Sequence, residues 1–161
     1  MIIYFTPGTG KTTFCKSHSE WTDGDTILAK IISDYTGKEI HGDDLHRTIL
    51  SLYNANRDVL EDCYTEYKSK LMHAKANNDN ILFGTRRFMW LADMVFIEDD
   101  PHILELRGRP GSFTTREIDY LVHTNAYERL NGKYATQVFN QDQNAFVYQQ
   151  KERLAWLKDK P

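Results

Sequence analysis

The sequence predicts an α/β fold with a short, mostly parallel sheet of about five strands. Three observations lead there. Short apolar runs alternate along the chain with segments whose apolar residues recur at helical spacing. The runs are continuous in their hydrophobicity, as strands covered on both faces require. A glycine-rich turn joins the first run directly to a helix, as in a strand–helix unit. Composition agrees: 40% of the 161 residues are hydrophobic and 27% charged, the balance of a globular chain. A chain of this length buries roughly two thirds of its unfolded surface, so it needs no disulfide or metal to fold. Its length matches one domain over residues 1–161.

In chain order, Ile2-Ile3-Tyr4-Phe5 is the first strand. The turn Thr6-Pro7-Gly8-Thr9-Gly10 follows, then a short helix from Lys11 to about Ser17. Trp21-Thr22 predicts a second short strand, ended by the turn Asp23-Gly24-Asp25. Ile27, Leu28, Ile31 and Ile32 then fall at helical spacing. From Asp43 to about Lys75, residues Leu45, Ile49, Leu52, Leu60, Cys63, Tyr67 and Leu71 recur at steps of three and four, with a polar break at Asn56. This is one long helix or two joined ones, with Asp43 or Asp44 as the N-cap and Asn77-Asn78-Asp79-Asn80 as the stop.

Ile81-Leu82-Phe83-Gly84 and Met94-Val95-Phe96-Ile97 are the third and fourth strands. Thr114 and Glu117 form a capping-box pattern for a helix between Phe113 and Leu130, with Gly132 as its stop. Ala135 to Phe139 is the fifth strand, and Phe146 to Leu157 the closing helix.

Charge and cysteine content exclude several classes. A net charge of −3 exerts no general pull on nucleic acid, although a local basic cleft is compatible with it. Cys15 and Cys63 make neither a disulfide framework nor a zinc site, and they fit reduced thiols in a cytoplasmic compartment. His41 and His46 stand five apart with no partner cluster. No apolar run reaches the roughly 18 residues of a membrane span, and Met1–Phe5 is too short for a signal peptide.

The most specific feature is Phe5-Thr6-Pro7-Gly8-Thr9-Gly10-Lys11-Thr12-Thr13, between strand and helix. Gly8 and Gly10 permit backbone geometry that aims successive amides, those of Thr9 and Thr13 among them, at a phosphate. Lys11 brings a full charge to the β- and γ-phosphates of ATP, and the Thr12 hydroxyl suits a Mg²⁺ that bridges them. Phe5 occupies the position where such loops open with glycine. Its large side chain is expected to point away from the nucleotide, into the sheet.

Beyond the loop, Glu98-Asp99-Asp100-Pro101 ends the fourth strand, and Arg107-Gly108-Arg109-Pro110-Gly111 has the hinge composition of a mobile lid. With Asp23-Gly24-Asp25 and Gly84-Thr85-Arg86, these features resemble the P-loop kinases. In particular they resemble small nucleoside and nucleotide kinases, often phage-encoded, such as deoxynucleoside monophosphate kinases and phage kinases of hydroxymethylated pyrimidines in DNA. The resemblance implies a three-layer P-loop NTPase fold with a helical acceptor-binding insert at 41–78 and a small lid at 107–116.

The resemblance further implies Asp25 at the acceptor hydroxyl and Asp23 in the metal shell, with a plain solvated turn as the alternative. It implies Arg86, rather than Arg87, gripping a substrate phosphate. Arg107, Arg109 and Arg116 would close over the transferring group. Arg47 and Arg57, on the insert, are substrate-binding residues or ordinary helix positions. Tyr53, Tyr64, Tyr67, Phe88 and Trp90 are base-stacking or packing residues, with Tyr67 on the apolar stripe. Asn140–Asn144 would pass the adenine.

The expected activity is ATP- and Mg²⁺-dependent phosphoryl transfer to a nucleoside, a nucleoside monophosphate or a modified pyrimidine in DNA. The protein would be a monomer or homodimer in the cytoplasm (the host's, if phage-encoded), with a small molecule favoured as acceptor. An ATPase module driving a partner, with Glu98 or Asp99 holding the metal, is the alternative. A nucleotide-binding protein without turnover is a third reading.

Overall fold

The computed structural model describes residues 1–8, 10–98 and 134–137. Along the chain run β1 (Ile2–Phe5), α1 (Lys11–Ser17), β2 (Thr22–Asp23), α2 (Gly24–Thr36), α3 (Leu45–Ala55), α4 (Arg57–Ala76), β3 (Ile81–Phe83), β4 (Met94–Glu98) and β5 (Tyr134–Gln137). Short 3-10 turns lie at Gly42–Asp44 and Arg86–Leu91.

The fold is mixed helix and strand around a small parallel sheet. β1 is central. It pairs with β3 on one side, Ile2 opposite Ile81 and Tyr4 opposite Phe83. On the other side it pairs with β4, Ile3 opposite Met94 and Phe5 opposite Phe96. β2 adds two residues outside β3, and β5 runs along β4, giving the order β2-β3-β1-β4-β5. Every pairing is parallel, so the carboxyl ends of the strands share one edge. That edge carries the candidate site.

The continuous hydrophobicity of β1 has the expected cause: both faces are covered. Ile2, Tyr4, Ile81 and Phe83 pack with α2 and α4, whereas Ile3, Phe5 and Leu82 pack with Phe14 and Trp21. Leu60, Cys63, Tyr67, Leu71 and Ala74 form the buried stripe of α4, and each large side chain among them contributes about 1.5–3 kcal/mol by leaving water. α4 is therefore a core layer and also the crossover from β2 to β3. α3 is bound less closely, with Leu45 its buried residue and Leu50 and Tyr53 exposed.

Several local expectations are refined. Gly24 and Asp25 form the first turn of α2, because the Asp23 carboxylate accepts from Asp25 N–H at 3.0 Å and starts the helix there. Trp21 lies before β2 and belongs to the core. The long periodic segment is two helices. Asn56 separates them, its side chain capping α4 by accepting from Val59 N–H at 3.5 Å. No side-chain cap starts α3; a 3-10 turn precedes it, and the Asp44 carboxylate pairs with Arg47 instead. The asparagine stop holds, with Asn78 at φ 59° just beyond α4.

β4 runs one residue further than expected, to Glu98. β5 begins one residue earlier, at Tyr134. The helices expected at 113–130 and 146–157 lie outside the described residues.

Candidate functional site

The turn after β1 places its glycines where only glycine is comfortable. Gly8 has φ 85° and Gly10 φ 93°, in the region that costs any other residue strain. Gly10 is also the N-cap of α1, with no side chain capping the helix and no acidic residue in its first turn. The amides there face no carboxylate of their own helix. Phe5 is 1% exposed and packs with Phe14 and Trp21 beneath α1. As expected, the residue standing where glycine usually opens the loop turns into the core.

Lys11 begins α1, and its side chain is 4% exposed. A buried ammonium needs compensating charge. The Asp25 carboxylate lies 4.0 Å from Lys11 Nζ, an electrostatic contact rather than a hydrogen bond. Gly84, just past β3, lies against the same amine: a Cβ built on Gly84 would sit 2.7 Å from Lys11 Nζ and 3.2 Å from its Cε. The ends of β1, β2 and β3 thus meet around one cation.

Thr12, the next residue, donates its hydroxyl to Asp23 Oδ2 at 2.5 Å. Asp23 is 7% exposed, and its two oxygens serve Thr12 and the first turn of α2. Asp25 is more open, its side chain 36% exposed. The two acids differ in their surroundings: Asp23 bonds to Thr12, and Asp25 faces Lys11. The hydroxyl of Thr12 and the carboxylate of Asp23 are hard oxygen donors in contact, a donor set that suits Mg²⁺ held jointly with phosphate oxygens. Among the described residues, no cluster of three or more acidic, cysteine or histidine side chains could hold a metal by itself.

The two arginines after β3 are sorted by their surroundings. Arg87 makes a two-pronged bond to Glu61, at 2.7 and 2.6 Å, with its guanidinium 5.1 Å from the centre of the Tyr64 ring. That hydrogen bond holds the Glu61 carboxyl below the usual glutamate range. Arg86 is half-buried and opens the 3-10 turn at the carboxyl end of β3.

Arg47 lies on exposed α3, paired with Asp44, and Arg57 stacks over Tyr53 at 4.0 Å. Among the described residues, the partners shown for both lie on or beside the insert itself. Thr9, Asp99, the 107–116 segment with Arg107, Arg109 and Arg116, and Asn140–Asn144 lie outside the described residues.

The aromatic candidates divide clearly. Phe88 and Tyr67 are core, 5% and 0% exposed, and Phe88 meets Tyr64 edge-on. Trp90 packs against the same core with Lys68 over its ring. Tyr53 is exposed.

Two features escape a reading of the sequence. Gly84 is read there as part of a motif, with no hint that its missing side chain makes room for Lys11. The Tyr67 hydroxyl lies beneath the acidic pair, 2.7 Å from where a Cβ on Gly24 would be. Burial pushes its pKa well up, with the Asp25 carboxylate adding to the shift. An apolar stripe locates a tyrosine ring but not where its oxygen ends. Burial also pushes the Cys15 thiol, on α1, up to about 12, which keeps it neutral.

A groove of about 490 Å³ between α2 and α4 includes Thr22, Asn80 and Ile81, at the amino ends of β2 and β3. It lies away from the loop and mixes charges of both signs, so the clustered chemistry at the carboxyl edge is the candidate site. No protein-family model matches the chain, and no curated protein matches it.

Proposed function

We propose that this chain is a P-loop kinase that transfers the γ-phosphoryl group of ATP to a hydroxyl acceptor. The observation that carries the reading is the convergence on Lys11. A glycine turn with two left-handed residues leads into it, and its buried ammonium lies 4.0 Å from the half-open carboxylate of Asp25. The parallel sheet, with loops clustered at its carboxyl edge, supports a P-loop NTPase architecture with helices on both faces.

Mg²⁺-bound ATP would supply the phosphoryl group and much of the charge neutralisation. The chain's own residues do the rest. Amides of the loop, including those at Gly8, Thr9, Gly10 and Thr13, and the Lys11 ammonium hold the donor phosphates. Thr12, oriented by Asp23, offers its hydroxyl to the metal. Asp25 accepts the hydrogen of the acceptor hydroxyl and aligns its oxygen for in-line attack. Arg86 steadies the acceptor side. Arg107, Arg109 and Arg116 would close the site from the lid at 107–116 and exclude water. Within the 41–78 insert, α3 and the turn before it are the part left to meet an acceptor, because α4 is committed to the core.

The hydroxyl is preferred over a phosphate acceptor on electrostatic grounds. A carboxylate beside the reaction point repels an incoming phosphate dianion but assists a neutral hydroxyl. Nucleosides and hydroxymethylated pyrimidines in DNA both satisfy this. No helix among the described residues is long and apolar enough to cross a membrane, which is compatible with action on such acceptors in the cytoplasm.

The test is transfer of γ-labelled phosphate from ATP to a panel of nucleosides, ribo- and deoxyribonucleoside monophosphates, and DNA with and without hydroxymethylpyrimidines, using Lys11→Ala as control. Label on a hydroxyl acceptor, lost in the control, supports the reading. Label on monophosphates alone keeps the kinase and overturns the hydroxyl preference. Free phosphate alone moves the function to a P-loop ATPase and attention to Glu98, at the end of β4.

A further inference from the structure

Gly84 meets Lys11 at a place where the backbone itself does not call for glycine. Gly84 is not among the residues with positive φ, which are Gly8, Gly10, Gly37 and Asn78. Its backbone would accept alanine without strain. What would not accept alanine is the space above it. A Cβ there would come 2.7 Å from Lys11 Nζ, 3.2 Å from Lys11 Cε and 3.2 Å from the carbonyl oxygen of Phe5. The nearest of these atoms is the tip of a flexible side chain, so the lysine would move rather than the sheet.

We infer that Gly84 is a positioning residue: the side chain missing at the end of β3 forms the seat that holds the Lys11 ammonium between the phosphate loop and Asp25. The placement follows from the sheet. β3 is the neighbour of β1 in register, Tyr4 opposite Phe83, so the residue after Phe83 lies beside the end of β1, where the loop and Lys11 begin. There the end of the Lys11 side chain lies against Gly84. With glycine there, the ammonium can settle low, 4% exposed and within 4.0 Å of Asp25. With any larger residue it is lifted toward solvent and away from the acid. The geometry of the seat stands by itself; its consequence for catalysis rests on the kinase reading above.

The test reads the seat in two ways. The first needs no nucleotide. Acetylation of lysines by acetic anhydride, followed peptide by peptide, should label Lys11 far more slowly than Lys30, whose side chain is 76% exposed. In Gly84→Ala the Lys11 rate should rise several-fold while the Lys30 rate stays constant. An unchanged Lys11 rate overturns the inference.

The second is Mg²⁺–ATP affinity, expected to fall about tenfold or more in Gly84→Ala. It should fall no further when Gly84→Ala is added to Lys11→Ala, because the two changes remove one interaction. Additive losses overturn the inference, since they would mean that Gly84 acts through something other than the lysine.

Should Gly84→Ala fold poorly, the double variant decides. Stability recovered by also replacing Lys11 supports the seat, and stability not recovered overturns it. If the labelling rates shift as expected but the unsubstituted protein binds no nucleotide, the seat stands and the kinase reading falls.

Discussion

Asp23 does two things with one carboxylate. Oδ1 caps α2, and Oδ2 takes the hydroxyl of Thr12. Removing it leaves a helix start uncapped and a threonine unheld in a buried place. Asp23→Ala should therefore cost about 1–2 kcal/mol, read by urea unfolding, whereas Asp23→Asn, which keeps an acceptor oxygen, should cost clearly less. Equal losses for the two would mean that the carboxylate charge, not the cap, is what matters.

The Arg87–Glu61 pair makes a pH prediction at the same scale. The bond to Arg87 lowers the folded-state pKa of Glu61 below its ordinary value near 4.5. A lowered folded value means that the pair stabilises the protein above the unfolded pKa. That contribution is lost as pH falls through the lower folded one. Both side chains are about half exposed, so the effect is small. Arg87→Ala should flatten the fall in stability below about pH 4.5. An acid limb as steep as in the unsubstituted protein would show that the pair contributes nothing.

α3 and α4 come from one periodic segment and fold into helices of different standing. Asn56 breaks the segment because its side chain can cap the start of α4. After the break, α4 buries five residues and α3 one. Helices held by few apolar contacts open locally at lower free energy. Amide hydrogen exchange should therefore run faster across Leu45–Ala55 than across the middle of Arg57–Ala76. Equal protection in the two would mean that they open as one unit.

The sequence shows the pattern of both helices, down to the polar break, but not the difference between them. Heptad-like spacing tells which residues share a face. It does not tell whether a sheet lies opposite that face. Similarly, the sequence leaves Phe88 and Trp90 open between base-stacking and packing, and the 3-10 turn at Arg86–Leu91 buries Phe88 and sets the partly buried Trp90 against the core.

At the scale of the molecule, the stripe of α4 against β1 and β3 joins the helical layer to the sheet. Leu71, fully buried there, should cost about 2–5 kcal/mol as Leu71→Ala. Leu50→Ala, at a side chain 55% exposed on α3, should change stability by no more than about 0.5 kcal/mol. Chemical denaturation of the two variants checks the ranking, and similar losses would show α3 to be part of the core. Because the described strands are parallel, their carboxyl ends and the loops that leave them share one edge. The same packing that stabilises the molecule therefore brings Lys11, Thr12, Asp23, Asp25 and Gly84 together.

What the sequence determined by itself is local. Apolar runs, the glycines at the turn and the asparagines around the long periodic segment set β1, the glycine turn, α1, α4 and the asparagine stop, because each depends on neighbours a few residues away. Only the tertiary structure decided which distant residues meet. Gly84 lies 73 positions from Lys11 in the chain, yet the pairing of β1 with β3 sets it against the lysine side chain. Arg87 finds Glu61 across 26 residues. Those choices come from strand order and close packing, which couple residues that share no local signal in the sequence.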